Sequence, residues 1–97
     1  MALGYEFAPR NTPVAAAQTD SEIAGGGTIQ VHGILCSATG GAGTVTLEKA
    51  DNTLIQVIEI PSGESFESSV KWYADGGLQI TTSANATCVV FHSQPGA

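Results

Sequence analysis

Two cysteines and two histidines are the residues whose types and spacing come closest to a chemical site. His32 and Cys36 are four residues apart, and Cys88 and His92 repeat that spacing in reverse order. If the strands that carry them pair antiparallel in one register, Cys36 faces Cys88 and His32 faces His92. Residues four apart on a strand lie about 13 Å from each other, whereas the ligands of one zinc ion all lie about 2.0–2.3 Å from it. We therefore exclude a single two-cysteine, two-histidine zinc site on straight strands.

The same register leaves a disulfide between Cys36 and Cys88 open. Facing residues in a non-hydrogen-bonded pair lie about 4.5 Å apart, at the short end of what a disulfide spans. A protein made in a cytoplasm usually keeps such thiols reduced. We interpret the cysteines as two small buried apolar residues, and the histidines as ordinary strand-face residues.

No other pattern in the sequence predicts catalysis. There is no GxxxxGK[ST] phosphate loop and no GxSxG motif, and no helical pattern follows the glycine-rich runs 25–27 and 40–43. Those runs therefore offer no helix N-terminus to an anion. The carboxylates lie outside any short motif that pairs an acid with a base. We expect no enzyme activity, no cofactor and no metal site.

The composition favours contacts with proteins over contacts with nucleic acids or membranes. The net charge is −6, and only Arg10, Lys49 and Lys71 are positive, whereas nucleic-acid binding requires several clustered cations. Charged residues make up 12% of the chain, against about 25% in a typical soluble domain, and interface cores are depleted in Lys, Glu and Asp. No run of about 20 apolar residues could span a membrane. The first ten residues also lack the basic start and apolar run of a signal peptide, so we expect a protein made in a cytoplasm.

From Thr28 onward, short apolar runs separated by turn residues predict an all-β body over residues 28–97. Their spacing of about ten residues predicts a small antiparallel β-sandwich or a jelly-roll-like barrel. We expect one hairpin about Asp51 and Asn52, which tolerate a left-handed backbone, and a last hairpin about 84–85. The predicted strands are 28–38, 44–49, 54–60, 65–72, 78–83 and 86–92.

Residues 1–27 are predicted to form an extended N-terminal arm. No period of 2 or 3.6 residues runs through 8–27, and Pro9 and Pro13 argue against a regular strand or helix there. The glycines at 25–27 suggest a flexible joint between arm and body.

Three apolar residues alternate near the tip of the arm: Leu3, Tyr5 and Phe7. An arm with such anchors suits docking on a neighbouring protein, and Tyr5 and Phe7 are our candidate contacts. The alternative is a frayed terminus.

The third predicted strand, LIQVIEI, is apolar on both faces. One face carries Leu54, Ile58 and Ile60, and the other carries Ile55 and Val57. A strand with one solvent-exposed face should be polar on that face and should not show this pattern. The strand is therefore either central or packed against another chain, and Ile55 and Val57 become candidate contacts in an oligomer or docking site.

Trp72 and Tyr73 are adjacent, so on a strand they point to opposite faces. We expect one in the core and one exposed, with Tyr73 a candidate interface residue. An exposed tyrosine beside a tryptophan could also stack on a sugar, which keeps a carbohydrate-binding interpretation open.

Several phrases between about residues 27 and 93 are similar to a known class of proteins. They are Val31-His32-Gly33, PSGESF at 61–66, DGGLQITTSANAT at 75–87 and the closing VVFH. With them the chain resembles small β-sandwich virion proteins of tailed phages, especially short-tailed marine phages. The resemblance implies a non-enzymatic capsid or tail component, often a trimeric decoration or cement protein, and it carries no active site.

The leading hypothesis is a decoration or cement protein on the virion surface. It would bind and stabilise the major capsid protein shell, form a homo-oligomer with a trimer favoured, and assemble in the host cytoplasm without contacting nucleic acid or membrane. The alternatives are a knob- or fibre-like tail or appendage subunit, and a carbohydrate-binding module that contacts the host surface.

Overall fold

The computed structural model describes residues 10–25, 28–69 and 71–93, and most of these residues lie in β-strands. No helix occurs within these ranges. The strands are β1 (Arg10–Val14), β2 (Ser21–Gly25), β3 (Ile29–Ala38), β4 (Gly43–Glu48), β5 (Leu54–Ile60), β6 (Ser65–Ser68), β7 (Trp72–Ala74), β8 (Gly77–Thr82) and β9 (Ala86–Ser93).

The strands form two antiparallel sheets. Sheet A has the order β1-β9-β3-β6, with β7 also paired to β3, and sheet B has the order β2-β8-β4-β5. The pairings nest along the chain, because β1 pairs with β9, β2 with β8, β3 with β6 and β4 with β5. A long hairpin rolled up in this way and divided between two sheets has the architecture of a jelly roll. The predicted all-β sandwich is confirmed.

The core lies between the sheets and arises from the alternation of side chains along each strand. On β4, Val45 and Leu47 are buried while Thr44 and Thr46 between them are half-buried. Burying one face of each sheet in this way removes apolar surface from water, which is the main favourable term in folding. The buried hydrophobic residues are Val14, Ile29, Val31, Ile34, Cys36, Ala38, Val45, Leu47, Ile58, Ile60, Ala74, Leu78, Ile80, Ala86, Cys88 and Val90.

The expectation that residues 8–27 contain no regular strand is wrong for the described part of that stretch. β1 pairs with β9, and β2 pairs with β8, so each is the edge strand of one sheet. Proline is tolerated on edge strands because one side of the strand needs no ladder hydrogen bond, and Pro13 lies in β1. Gly25, expected in a flexible joint, lies in β2 and pairs with Gly77 of β8.

The two predicted hairpins have different outcomes. β4 and β5 pair through a turn closed by hydrogen bonds between Lys49 and Asn52 and between Lys49 and Thr53. Asn52 has the expected left-handed backbone, with φ of 71°. The predicted hairpin about 84–85 is wrong, because β8 belongs to sheet B and β9 to sheet A. The chain crosses between the sheets there.

Candidate protein-contact surface

An apolar strip crosses the outer face of sheet A. Leu35 on β3 pairs with Val89 on β9, and Val89 pairs with Pro13 on β1. Their strand neighbours Cys36, Cys88 and Val14 are buried, so the alternation of a strand directs Leu35, Val89 and Pro13 outward. Phe91 lies one outward position along β9 from Val89. We call Pro13, Leu35, Val89 and Phe91 the apolar strip.

The apolar strip is open to solvent. Leu35 is 39% exposed and Phe91 is 38% exposed, while Val89 is half-buried and Pro13 is exposed. Phe91 pairs with Gly33 on β3, where a Cβ atom would lie 2.7 Å from the carbonyl oxygen of Ser68. Glycine at position 33 therefore lets β3 approach the backbone at Ser68. It also leaves no side chain beside Phe91.

Polar groups border the apolar strip, and most of them are uncharged. Ser37 and Thr87 form the next outward pair and share a hydrogen bond of 3.1 Å. Glu67 on β6 pairs with Leu35 and is the one carboxylate in the five strands of sheet A. Exposed apolar surface bordered by polar residues is typical of a contact site.

The outer face of sheet B is different. Its strands contain three carboxylates, Glu22, Glu48 and Glu59. Asp20, just before β2, accepts a hydrogen bond from the Thr81 hydroxyl on the same sheet. Outward polar residues beside an inward apolar face are the usual pattern of an antiparallel sheet.

The predicted contacts Ile55 and Val57 lie on β5, the edge strand of sheet B. Val57 is 46% exposed, and Leu54 is 59% exposed. Ile55 is the extra residue of a bulge opposite Leu47 and Glu48, and it packs against the core. The bulge shifts the expected faces: Leu54, predicted to lie with the buried Ile58 and Ile60, is exposed instead.

Trp72 and Tyr73 divide between core and solvent as predicted. Trp72 is half-buried and packs against the core, and Tyr73 is 65% exposed. Tyr73 pairs with Gln30 at the end of the outer face of sheet A. Since the tryptophan is turned inward, the two rings do not form one stacking platform for a sugar.

Tyr5 and Phe7, the predicted anchors of the arm, lie outside the described residues, as does Leu3. The described residues begin at Arg10, which pairs with His92 at the edge of sheet A.

Cys36 and Cys88 face each other, in the register considered from the sequence. Both are free and 1% exposed, and their sulfurs are 3.3 Å apart. The S–H···S hydrogen bond lowers the pKa of Cys36 and raises that of Cys88, and burial raises the pKa of both.

The histidines do not face each other. A bulge at His32 shifts the register, so His92 pairs with Val31. The His32 Nε2 atom is 2.8 Å from the Ser93 hydroxyl, and the His92 Nε2 atom is 2.8 Å from the Thr12 hydroxyl. Each ring is held by a strand-face hydroxyl.

Two further findings concern residues 10–25, 28–69 and 71–93 alone. Nowhere in these ranges do three His, Cys, Asp or Glu side chains come together in a group that could hold a metal ion. The same ranges contain no helix long and apolar enough to cross a membrane.

No protein-family description matches the chain, and no curated protein matches its sequence. Solved structures are similar in fold. A chain from the Bacillus endospore appendages, which form a family of disulfide-linked pili, matches with a TM-score of 0.55 and 13% identity over 93% of this chain and 89% of that chain. At this identity the similarity shows the fold alone.

A weaker likeness is to the VP2 subviral particle of infectious bursal disease virus. Its TM-score is 0.33 at 13% identity, and it covers 92% of this chain but 33% of the VP2 chain. The present chain therefore spans about a third of that protein, and we draw nothing from this likeness.

Sequence reasoning missed the apolar strip, although a signal for it was present. β9 reads ATCVVFHS, with Val90 inward and Val89 and Phe91 outward. This two-faced apolar pattern is the one that singled out β5. The neighbouring Leu35 carries the same signal on β3, between the inward Ile34 and Cys36.

Proposed function

We propose that the protein is a non-enzymatic structural subunit of a virion, bound to the shell of major capsid protein as a decoration or cement protein. The observation that supports this proposal most directly is the apolar strip on a sheet face whose strands carry one carboxylate, Glu67. A contact surface, rather than a reactive constellation, is the distinctive feature of the described residues.

A decoration protein needs one contact with its own copies and another with the shell, and the described residues include two separate exposed apolar regions that suit these contacts. The apolar strip lies on the outer face of sheet A, and the second region, Leu54 and Val57, lies on the free edge of sheet B. An edge strand can add a strand from a partner through its unpaired backbone groups. We assign the β5 edge to the shell contact and the apolar strip to contacts between subunits, in a homo-oligomer for which a trimer is favoured.

Both cysteines are buried against each other, and the whole chain contains no third cysteine. Covalent links between subunits would therefore require opening the core. We infer that assembly of this protein depends on non-covalent contacts, unlike the disulfide-linked pili with which it shares a fold.

The test is the number of copies in purified virions and their position on the particle. Hundreds of copies distributed over the head support the proposal, whereas about a dozen copies at one vertex overturn it. Adding purified protein to particles that lack it gives a binding assay, in which Leu54→Ser/Val57→Ser should lower occupancy at least tenfold. The control Thr87→Ala changes an exposed residue of β9 in sheet A, away from the β5 edge, and should bind normally.

A second candidate is an appendage subunit on the tail or particle surface. The fold similarity to an endospore appendage chain over nearly the full length of both chains favours it. A low copy number at the tail, seen in the same virion measurement, would select this candidate.

A carbohydrate-binding role rests on Tyr73 alone, since Trp72 is turned into the core. Glycan binding by the wild-type protein that disappears in Tyr73→Ala would support it. No binding across a panel of host-surface glycans excludes it.

A further inference from the structure

We propose that the apolar strip binds residues 1–9 of a second copy of the chain. This inference deepens the proposed function and rests on it, because it names the partner that meets sheet A in a homo-oligomer. The strip is the receptor, and the N-terminal segment MALGYEFAP is the ligand.

The spacing of apolar residues is the same in the segment and in the strip. Leu3, Tyr5 and Phe7 occur at every second position, so in an extended conformation they project on one side about 6.6 Å apart. Val89 and Phe91 are also two positions apart on β9, and both point outward. A segment laid along the strand direction can therefore place successive side chains beside successive residues of the strip.

The charges are also compatible. The segment holds one charged side chain, Glu6, and the strands of sheet A hold one carboxylate, Glu67, and one arginine, Arg10. On the outer face of sheet B the same segment would meet three strand carboxylates. Like charges in close contact are unfavourable, so sheet A is the better receptor.

The described chain begins at Arg10, near the apolar strip, and a straight continuation of β1 beyond it would lead away from that strip. Arg10 is already in the ladder opposite His92, one position from Phe91. A turn over 7–10 would put Pro9 at its third position, where proline is disfavoured in the common turn type. The reason is that this turn needs a helical backbone at the preceding residue, Ala8, and a residue before proline avoids that conformation. A turn over 8–11 would require Arg10 to leave the strand. An immediate reversal onto its own strip is therefore disfavoured, and we assign the contact to a second copy.

Each copy offers one segment and one strip, so the contact is heterologous. Contacts of this kind close into a ring or continue as a filament, depending on the rotation between copies. A closed ring suits a decoration oligomer, and an open array suits an appendage.

The test uses three full-length double variants and measures mass by analytical ultracentrifugation over a range of concentrations. The segment variant is Tyr5→Ser/Phe7→Ser, and the strip variant is Leu35→Ser/Phe91→Ser. The control, Leu54→Ser/Val57→Ser, changes two apolar residues of similar or greater exposure on sheet B. Thermal unfolding of each variant shows whether the fold is retained.

We expect the wild-type protein and the control to self-associate equally, and each of the first two variants to raise the dissociation constant at least tenfold. A mixture of the segment variant and the strip variant should form a one-to-one dimer, because one intact segment then meets one intact strip. A wild-type protein that stays monomeric, or a mixture that fails to associate while both variants remain folded, overturns the proposal.

If the strip variant does not fold, a peptide experiment decides. The peptide MALGYEFAP is titrated into the ¹⁵N-labelled segment variant, and amide shifts confined to β3, β9 and β1 support the proposal. Shifts on sheet B, no shifts, or equal shifts from a peptide with both aromatic residues replaced by serine overturn it. A wild-type protein that binds particles but does not self-associate contradicts this inference alone, whereas a wild-type protein that self-associates but does not bind particles contradicts the proposed shell contact alone.

Discussion

Sheet A and sheet B use the same alternation to fill the core, yet their outer faces have opposite character. The strands of sheet A carry one carboxylate and one arginine, while those of sheet B carry three carboxylates and no cation. The apolar strip on sheet A has no counterpart in the middle of sheet B, where Thr46 and Thr81 occupy the outward central positions. Folding requires one apolar face per sheet, so the second apolar face of sheet A is not explained by folding.

The difference matters because the protein has a net charge of −6. Copies of such a protein repel each other except where a face carries little charge and gains by leaving water. The outer face of sheet A meets both conditions, whereas sheet B carries three strand carboxylates and exposes apolar residues only along its β5 edge. We therefore expect sheet A to be the preferred side for association between copies.

The largest effect is expected when a charge is placed on the apolar strip. Leu35→Glu puts a carboxylate beside Glu67 on the paired strand, and burying it in a contact leaves it without a partner. We expect self-association to weaken at least 100-fold, which corresponds to about 2.7 kcal/mol. The measurement is the dissociation constant from sedimentation equilibrium.

The matched change on sheet B is Val57→Glu, at a residue of similar exposure. It should alter self-association less than threefold. Equal losses in the two variants would show that general charge, rather than the face of sheet A, controls association.

The second prediction concerns the backbone under the apolar strip. Gly33→Ala places a Cβ atom 2.7 Å from the Ser68 carbonyl oxygen, which belongs to the backbone and cannot rotate away. Overpacking of this kind costs about 1–3 kcal/mol, measured as a loss in the free energy of unfolding by urea. Ser37→Ala, another outward position on β3, should cost less than about 1 kcal/mol, and similar losses in both variants would contradict the assigned close approach.

Some features of the fold could be predicted from the sequence, and others could not. β5 was predicted at its observed bounds, and Cys36 was placed opposite Cys88, because period-two patterns and turn residues are local signals. The bulges at His32 and Ile55 were not predicted, since an extra residue in one strand is decided by the partner strand. The histidines consequently do not face each other, although their spacing is symmetrical in the sequence.

β1 and β2 were missed for a related reason. Pro13 argues against a strand when the strand is considered alone, but it is acceptable once β1 lies at an edge. Edge position is a property of the whole sheet, and nothing near residue 13 reveals it. The contact surface was missed for the same reason, because Pro13, Val89 and Leu35 come from three strands that are distant in sequence.

The third prediction tests the inner side of the same strands. Cys36 and Cys88 lie on the core side of β3 and β9, next to the outward Leu35 and Val89. The hydrogen bond with Cys36 and burial raise the pKa of Cys88, so above about pH 9 the folded protein keeps a proton that the unfolded chain has lost. Its stability then falls with rising pH, by up to about 1.4 kcal/mol per pH unit.

Urea unfolding between pH 8 and pH 10.5 measures this slope. Cys36→Ala/Cys88→Ala removes both thiols, and with them the retained proton, and should have a shallower decline, although it is less stable at pH 8. Parallel slopes in the wild type and the variant would mean that other groups cause the alkaline loss.

The smallest expected effect comes from the acidic face of sheet B. Glu22→Gln/Glu48→Gln/Glu59→Gln removes the three strand carboxylates without changing the apolar strip. Since exposed charges interact weakly and are screened by salt, we expect self-association to tighten three- to tenfold at 20 mM salt and to be unchanged at 500 mM. The wild type should tighten more than the triple variant over the same increase in salt, because the triple variant has fewer like charges to screen. If the triple variant associates through a new surface, adding Leu54→Ser/Val57→Ser should weaken its self-association, and adding Leu35→Ser/Phe91→Ser should not. That result would show that repulsion on sheet B, rather than the apolar strip, causes the preference for sheet A.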